Sequence, residues 1–318
     1  MGSKYFLYSG QGSQYMNMGK KLYMEDETFS KYMRYLDDIV IDETGDSVIE
    51  YMYNEPLMTD KIFDNIIFTH PAICMVEYSM TKTLNKRRII PDGLIGCSLG
   101  EYTAMAVAGV VDIEELMLMI IKQARLLSQS NISGGMLAII DDFSRYQKSY
   151  FERIGLQIIS VNHNSHFIVS GDRNSIDKLI DDLKGKNINY FDLPVKYGFH
   201  SSNIEPFYDV FMNEVADITL KKAKIPVYSC SQCRPVSEYT KDMLWNVVRN
   251  NIMYREVLQK YVKENDVLID VGPQGTLAGF SKKILNRTSG IFSTMTLFNQ
   301  EQKAISQIED YVNNNKAN

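Results

Sequence analysis

Gly93-Leu94-Ile95-Gly96-Cys97-Ser98-Leu99-Gly100 is the stretch that decides the fold. Its first half, Gly93 to Gly96, is an apolar strand-like run, and a helical pattern begins directly after it. The Gly-x-Ser-x-Gly pentapeptide between them puts Ser98 on a sharp strand-to-helix turn. There the glycines supply the tight geometry and the hydroxyl is pushed outward. The backbone N–H after the serine and the start of the next helix offer donors to an oxyanion. The stretch reads as acyl transfer through a serine ester.

Upstream, Tyr5 to Tyr8 is a short apolar strand that runs into the loop Gly10-Gln11-Gly12-Ser13-Gln14. Amphipathic spacing predicts helices over about 17–36 and 70–87. Downstream come a small-residue helix over Tyr102–Gly109 and a longer one over Ile113–Ser130. Strands alternating with helices predict an α/β architecture with a largely parallel sheet. From Gly134 to Val195 the rhythm changes to strand (Met136–Ile140), helix (Phe143–Ile154), strands (Gln157–Val161, Phe167–Ser170), helix (Ser175–Leu183) and extended chain (Tyr190–Pro194). That β-α-β-β-α-β order is the ferredoxin-like signature. The expected organisation is a small subdomain, 133–196, inserted into a larger one made of 1–132 and 197–318. After His200 the α/β pattern resumes, with strands at Ile225–Tyr228 and Val267–Val271, helices around 241–263 and from Gln274, and a terminal helix from about 299. The polar tail Asn313–Asn318 is expected to fray.

The 318 residues suffice for two modest cores. Thirty-four basic against 39 acidic residues give a net charge of −5, which argues against nucleic acid as the main partner. No apolar run is long enough to span a bilayer and no signal peptide opens the chain, so a cytoplasmic protein is expected. The cysteines Cys74, Cys97, Cys230 and Cys233 then read as reduced thiols. Cys230-Ser231-Gln232-Cys233 is a lone C-x-x-C without a second pair, so no metal site is expected.

A serine hydroxyl needs a base. Of His70, His163, His166 and His200, the last fits best: it follows the serine in chain order and lies in the glycine-bearing stretch Lys196-Tyr197-Gly198-Phe199-His200-Ser201. A third, acidic member is not identifiable, and a backbone carbonyl could equally orient the base. Gly10-Gln11-Gly12 lacks the third glycine of a dinucleotide turn, and a Gln11 N–H completing an oxyanion hole fits better. Cys97 adjoins Ser98 but points the other way in extended chain.

In order along the chain, Ser9-Gly10-Gln11-Gly12-Ser13-Gln14, Pro71-Ala72, Gly96-Cys97-Ser98-Leu99-Gly100-Glu101, Asn162 with Ser170-Gly171, Gly198-Phe199-His200-Ser201 and Gly272-Pro273 resemble the malonyl-CoA:acyl-carrier-protein transacylase family of fatty-acid and polyketide synthesis. The resemblance implies an α/β-hydrolase-like large subdomain with a ferredoxin-like small one. It implies Ser98 as nucleophile, His200 as base, and Gln11 and Leu99 N–H groups as oxyanion donors. Phe199 and Asn162 become substrate-binding candidates, and a main-chain carbonyl near Met253 would orient the histidine. No bound cofactor is implied. The acyl group arrives on the phosphopantetheine of an acyl carrier protein or on CoA, and Lys196, Lys282 and Lys283 are candidates for a basic rim that meets the carrier. A monomer is expected.

One departure outweighs the matches. Malonyl-specific members carry an arginine downstream of the serine that grips the free carboxylate; here Gln123 stands in its place. Arg125, two residues along the helix, faces nearly the opposite way. A neutral amide cannot reproduce the two charge-assisted bonds of a guanidinium. One buried charge left unpaired costs about 3–5 kcal/mol, roughly a hundred- to several-thousand-fold against malonyl. Cys97 replaces the family's usual histidine, and His70 replaces glutamine in Thr69-His70-Pro71; both change the acyl pocket. The pattern looks most like the discrete acyltransferase homologues of trans-acyltransferase polyketide synthases, whose glutamine-bearing members are associated with acyl hydrolysis. The expectation is an acyl-carrier-protein thioester hydrolase that edits stalled acyl units. Two rivals are a trans-acting acyltransferase and an inactive carrier-docking module.

Overall fold

The computed structural model describes residues 2–54, 56 and 61–314. Two sheets organise it. The larger has the order β10-β9-β1-β2-β7-β8, from β1 (Lys4–Tyr8), β2 (Gly93–Gly96), β7 (Val227–Ser229), β8 (Arg234–Val236), β9 (Val267–Asp270) and β10 (Ile291–Ser293). All its pairings are parallel except β7 with β8. The smaller is antiparallel, with the order β4-β5-β3-β6, from β3 (Gly135–Ile140), β4 (Leu156–His163), β5 (His166–Gly171) and β6 (Asn189–Asp192). In chain order this is the 2-3-1-4 arrangement of a ferredoxin-like unit.

Register decides where chemistry can sit. Tyr8 lies opposite Gly96, and Gly96 opposite Ser229. The Ser9–Gln14 loop, Cys97-Ser98 and Cys230 therefore leave neighbouring strands at their carboxyl ends, where open α/β sheets bind ligands. The smaller sheet has two faces because strand side chains alternate. Leu137, Ile139, Phe167 and Val169 enter its own core with Phe151 and Leu179. Met136, Ala138 and Ile168 are interleaved with them and turn instead toward the large subdomain, where they line a cavity.

Two expectations need correction. The helix over 17–36 is two, Lys20–Glu25 and Glu27–Thr44. They part at Asp26, whose carboxylate accepts from the Phe29 N–H at 2.9 Å and starts the second. The helix over Phe143–Ile154 is a 3₁₀ turn, Phe143–Arg145, followed by Lys148–Arg153, because Asp142 accepts from the Ser144 N–H. The short helix Val48–Tyr53 and the three-residue strands β8 and β10 are additional to the elements expected from periodicity. Part of the tail expected to fray, residues 315–318, lies outside the described residues. Among the described residues no helix is long and apolar enough to cross a membrane.

Candidate active site

Ser98 sits between β2 and the helix Leu99–Val107 with φ 53° and ψ −131°, a left-handed turn that costs a non-glycine residue of order 1–3 kcal/mol. Packing enforces it. A Cβ on Gly100 would come within 2.4 Å of the Tyr8 and Ser9 carbonyl oxygens, so the turn closes onto β1 only with glycine there. Gly10 makes the matching approach from the other side: its Cβ would stand 2.8 Å from Ser98 Cβ and 3.2 Å from Leu99 N. The Ser9–Gln14 loop is clamped against the elbow. The Ser9 N–H donates to the buried Glu77 carboxylate at 2.6 Å, and the Gly12 N–H donates to Gln14 Oε1 at 2.7 Å. The Gln11 side chain donates to Thr69 Oγ1 at 2.8 Å. Gln11, the residue after Gly10, lines the same cavity as Ser98.

Ser98 Oγ lies 2.7 Å from His200 Nε2. The other ring nitrogen, Nδ1, lies 2.7 Å from the Asn250 carbonyl oxygen. A carbonyl only accepts, so Nδ1 carries the proton and the Nε2 lone pair faces the serine. His200 itself is at φ 64°, with its N–H donated to the Val248 carbonyl at 2.9 Å. Ser170 Oγ, from β5, donates to the Phe199 carbonyl at 2.7 Å and ties the two subdomains together beside the base. Burial disfavours the imidazolium and pushes the His200 pKa down to about 4, so the ring is neutral at pH 7.

The orienting carbonyl, expected near Met253, is that of Asn250, three residues earlier. The helix Lys241–Arg249 ends just before Asn250, whose extended conformation turns its carbonyl toward the imidazole. The Met253 carbonyl is taken by the Val257 N–H at 3.0 Å as the first bond of the next helix.

Ser98 opens into a mainly apolar cavity of about 280 Å³ between the subdomains. Of the expected site residues, Gln11, Cys97, Ser98, Asn162 and Phe199 line it. Gln123 and His70 do not, which corrects their expected place in the wall. Both are buried in the helices Ile113–Gln129 and Ile66–Lys86, and the His70 ring packs 5.9 Å from Phe199. Neither amide atom of Gln123 has a partner, nor has His70 Nδ1. Arg125 is directed elsewhere, donating to the Glu43 carbonyl. Among the described residues no lysine or arginine lines the cavity. Cys97 Sγ lies 3.0 Å from Cys230 Sγ, both as free thiols, and no cluster of metal ligands occurs among the described residues.

Sequence reasoning named Asn162 but missed the polar strip it forms with Ser160 and His166 on the small-subdomain wall. Ser160 Oγ donates to Asn162 Oδ1 at 2.7 Å, and Asn162 Nδ2 lies 3.0 Å from His166 Nδ1; all three residues line the cavity. Ser160 and Asn162 are alternate residues of β4, so the period-two pattern held the signal. Of the rim candidates, Lys196 pairs with Asp64 at 2.9 Å, while Lys282 and Lys283 close the helix Thr276–Ile284.

A serine on a strand–helix elbow, a buried neutral imidazole and a cleft between an α/β and a ferredoxin-like subdomain define the acyltransferase class of fold. The acyl transferase domain family matches residues 5–309, and the chain belongs to that family. It is 39% identical over 310 residues to the polyketide biosynthesis acyltransferase homolog BaeD of Bacillus velezensis, covering 96% of both chains. It is 38% identical to the homolog PksD of Bacillus subtilis, covering 96% of this chain and 95% of that one. Among solved structures, a loading acyltransferase of the avermectin polyketide synthase superposes with a TM-score of 0.85 at 17% identity, over 96% of this chain and 99% of that one. The malonyl CoA-acyl carrier protein transacylase of Clostridium perfringens does so with 0.80 at 22%, over 97% and 98%.

Proposed function

We propose that this chain is a serine-dependent acyl-carrier-protein thioester hydrolase that removes neutral acyl groups in polyketide biosynthesis. The observation that carries the acyl preference is the cavity wall: Ser98 faces an apolar space into which no cation projects from the described residues. A malonyl carboxylate there would meet no cation from the described residues, whereas acetyl or longer acyl groups need none. The names of BaeD and PksD support the biosynthetic setting.

Ser98 Oγ attacks the thioester carbonyl carbon while its proton passes to His200 Nε2. The carbonyl electron pair moves onto oxygen, which the Gln11 and Leu99 N–H groups receive. Collapse breaks the C–S bond, and the pantetheine sulfur takes the proton from His200. Water then attacks the acyl-Ser98 ester and gives its proton to the same nitrogen; collapse breaks the acyl–Oγ bond, His200 returns the proton to Oγ, and the free acid leaves. Were a second carrier thiol to replace that water, the outcome would be transfer. The test is product analysis with an acyl-loaded carrier: the free acid supports hydrolysis, and acyl appearing on an added empty carrier supports transfer. Wild-type protein that forms no adduct with any donor, like a Ser98→Ala control, would leave a docking role.

A further inference from the structure

Strand β6 is an edge of the smaller sheet, and its residues alternate between two faces. Tyr190 packs with the small subdomain's own core, while Phe191 lies opposite Ala138 on the face turned to the cleft. The Leu193 N–H donates to the Met136 carbonyl at 3.0 Å, which keeps the chain beside β3 past the end of β6. Phe191 and Leu193 line both the catalytic cavity and a second, wider groove of about 870 Å³. Gly12 stands against Leu193: a Cβ there would lie 3.5 Å from Leu193 Cδ2, so no opposing side chain reinforces the leucine at that point. Met16 and Phe63 are buried beneath the groove, and Ile62, Phe191 and Leu297 stand around it 68%, 57% and 59% exposed. A surface seldom gathers large apolar side chains in this way without a ligand or partner to cover them. The groove's charges are matched among themselves. Arg173 pairs with Asp192 and Lys196 with Asp64, each at 2.9 Å, and the Lys61 ammonium lies 4.8 Å from the centre of the Tyr51 ring. A neutral, apolar occupant suits such a groove better than an ion.

We propose that this groove holds the distal part of acyl groups too long for the 280 Å³ cavity at Ser98, which makes medium- and long-chain acyl thioesters the substrate class. The inference rests on the reading of Ser98 as the acylated nucleophile, and it adds which acyl groups the protein selects and where their far ends lie. The alkyl chain leaves the catalytic cavity past Leu193, whose side chain yields by a change of rotamer. It then follows the cleft face of β6 along Phe191 and settles over Met16 and Phe63, where Ile62 and Leu297 cover it. Every methylene laid there removes apolar surface from water on both the ligand and the protein.

Thiol release from acyl-pantetheine thioesters, kept below their micellar concentrations, reads acylation of Ser98 whatever acceptor follows. A methylene moved wholly from water into apolar surroundings gains about fourfold, and one covered on a single side about twofold. The four methylenes that separate octanoyl from dodecanoyl should therefore raise kcat/KM about tenfold in the wild type. The double variant Ile62→Ser/Leu297→Ser changes two exposed side chains that do not line the catalytic cavity. It should bring the dodecanoyl-to-octanoyl ratio down to about twofold. Equal rates for the two thioesters in the wild type, or a ratio that survives the double substitution, overturns the proposal. So does a double variant that slows carrier-borne acyl groups of every length while the pantetheine ratio stays intact, since the groove would then meet the carrier's surface. Binding to the Ser98→Ala protein, measured by calorimetry, reads the groove without chemistry. Dodecanoyl-pantetheine should bind about tenfold more tightly than octanoyl-pantetheine, and the added double substitution should close that gap. Equal affinities there overturn the groove. Failure of the enzyme reading looks different: the affinity gap would stand while the wild type forms no acyl-Ser98 with either thioester.

Discussion

Replacing Gln123 by arginine puts a longer, cationic side chain at a buried position that does not itself line the cavity, and asks whether it reaches the acyl end of the substrate. Gln123 is 2% exposed and neither amide atom has a partner, so an arginine there enters a dry site. Unpaired, the guanidinium costs about 3–5 kcal/mol, which should lower the melting temperature by several degrees. A malonyl carboxylate would relieve that cost through charge-assisted bonds worth about 1.5–3 kcal/mol. The ratio of kcat/KM for malonyl over acetyl should therefore rise roughly ten- to a hundredfold. Acylation of Ser98, followed by intact-protein mass spectrometry with the two donors in competition, measures that ratio. Gln123→Met serves as the control. It removes two unpaired polar atoms and should stabilise the fold by about 1 kcal/mol without moving the ratio. A folded Q123R protein whose ratio equals the wild type's would show that this helical position does not reach the acyl end of the substrate, and the specificity argument would fail with it.

Because burial holds the His200 pKa at about 4, the acid limb of kcat/KM should fall near pH 4; a limb near 6.5 would contradict the buried base. His70, pushed to about 3 by burial, and His200 both have folded pKa values below the unfolded 6.5. The folded state thus binds fewer protons, so the stability is intact above pH 6.5 and is lost as pH falls toward those values, by roughly 3–5 kcal/mol per group. Denaturant melts of wild type and His70→Gln across pH 7 to 4 check the sign, since the variant should show the shallower loss. Gly10→Ala drives a Cβ to 2.8 Å from Ser98 Cβ. Displacing the loop that carries the Gln11 N–H should slow acylation about a hundredfold, and single-turnover kinetics would reveal a rate that stays put.

What was legible in the sequence was what local chemistry dictates. The glycines around Ser98 and the apolar run before it specify a strand, a turn and a helix, and the parallel sheet and its serine elbow follow. The change of rhythm after Gly134 likewise carries the antiparallel unit. Strands β8 and β10 escaped because three residues have no periodicity to read, and the helix over 17–36 broke because a capping carboxylate at Asp26 outweighs continued amphipathic spacing. The Ser98–His200 contact, 102 residues apart, was inferred from residue type and order; its geometry depends on tertiary packing. The choice of Asn250 over Met253 depends on which carbonyl a helix start has already consumed, a bond no sequence pattern displays. The polar strip of Ser160, Asn162 and His166 depends on which face of β4 and β5 turns outward, and that is settled only when the sheet docks.

The most direct test of the central claim, that the uncharged wall beside Ser98 admits neutral acyl groups and refuses a carboxylate, is the mass of the wild-type chain after brief exposure to acetyl-, hexanoyl- and malonyl-loaded carrier protein. An adduct on Ser98 with the first two, decaying to free acid, and none with the third is the expected result. A malonyl adduct formed as fast as the acetyl one would contradict it.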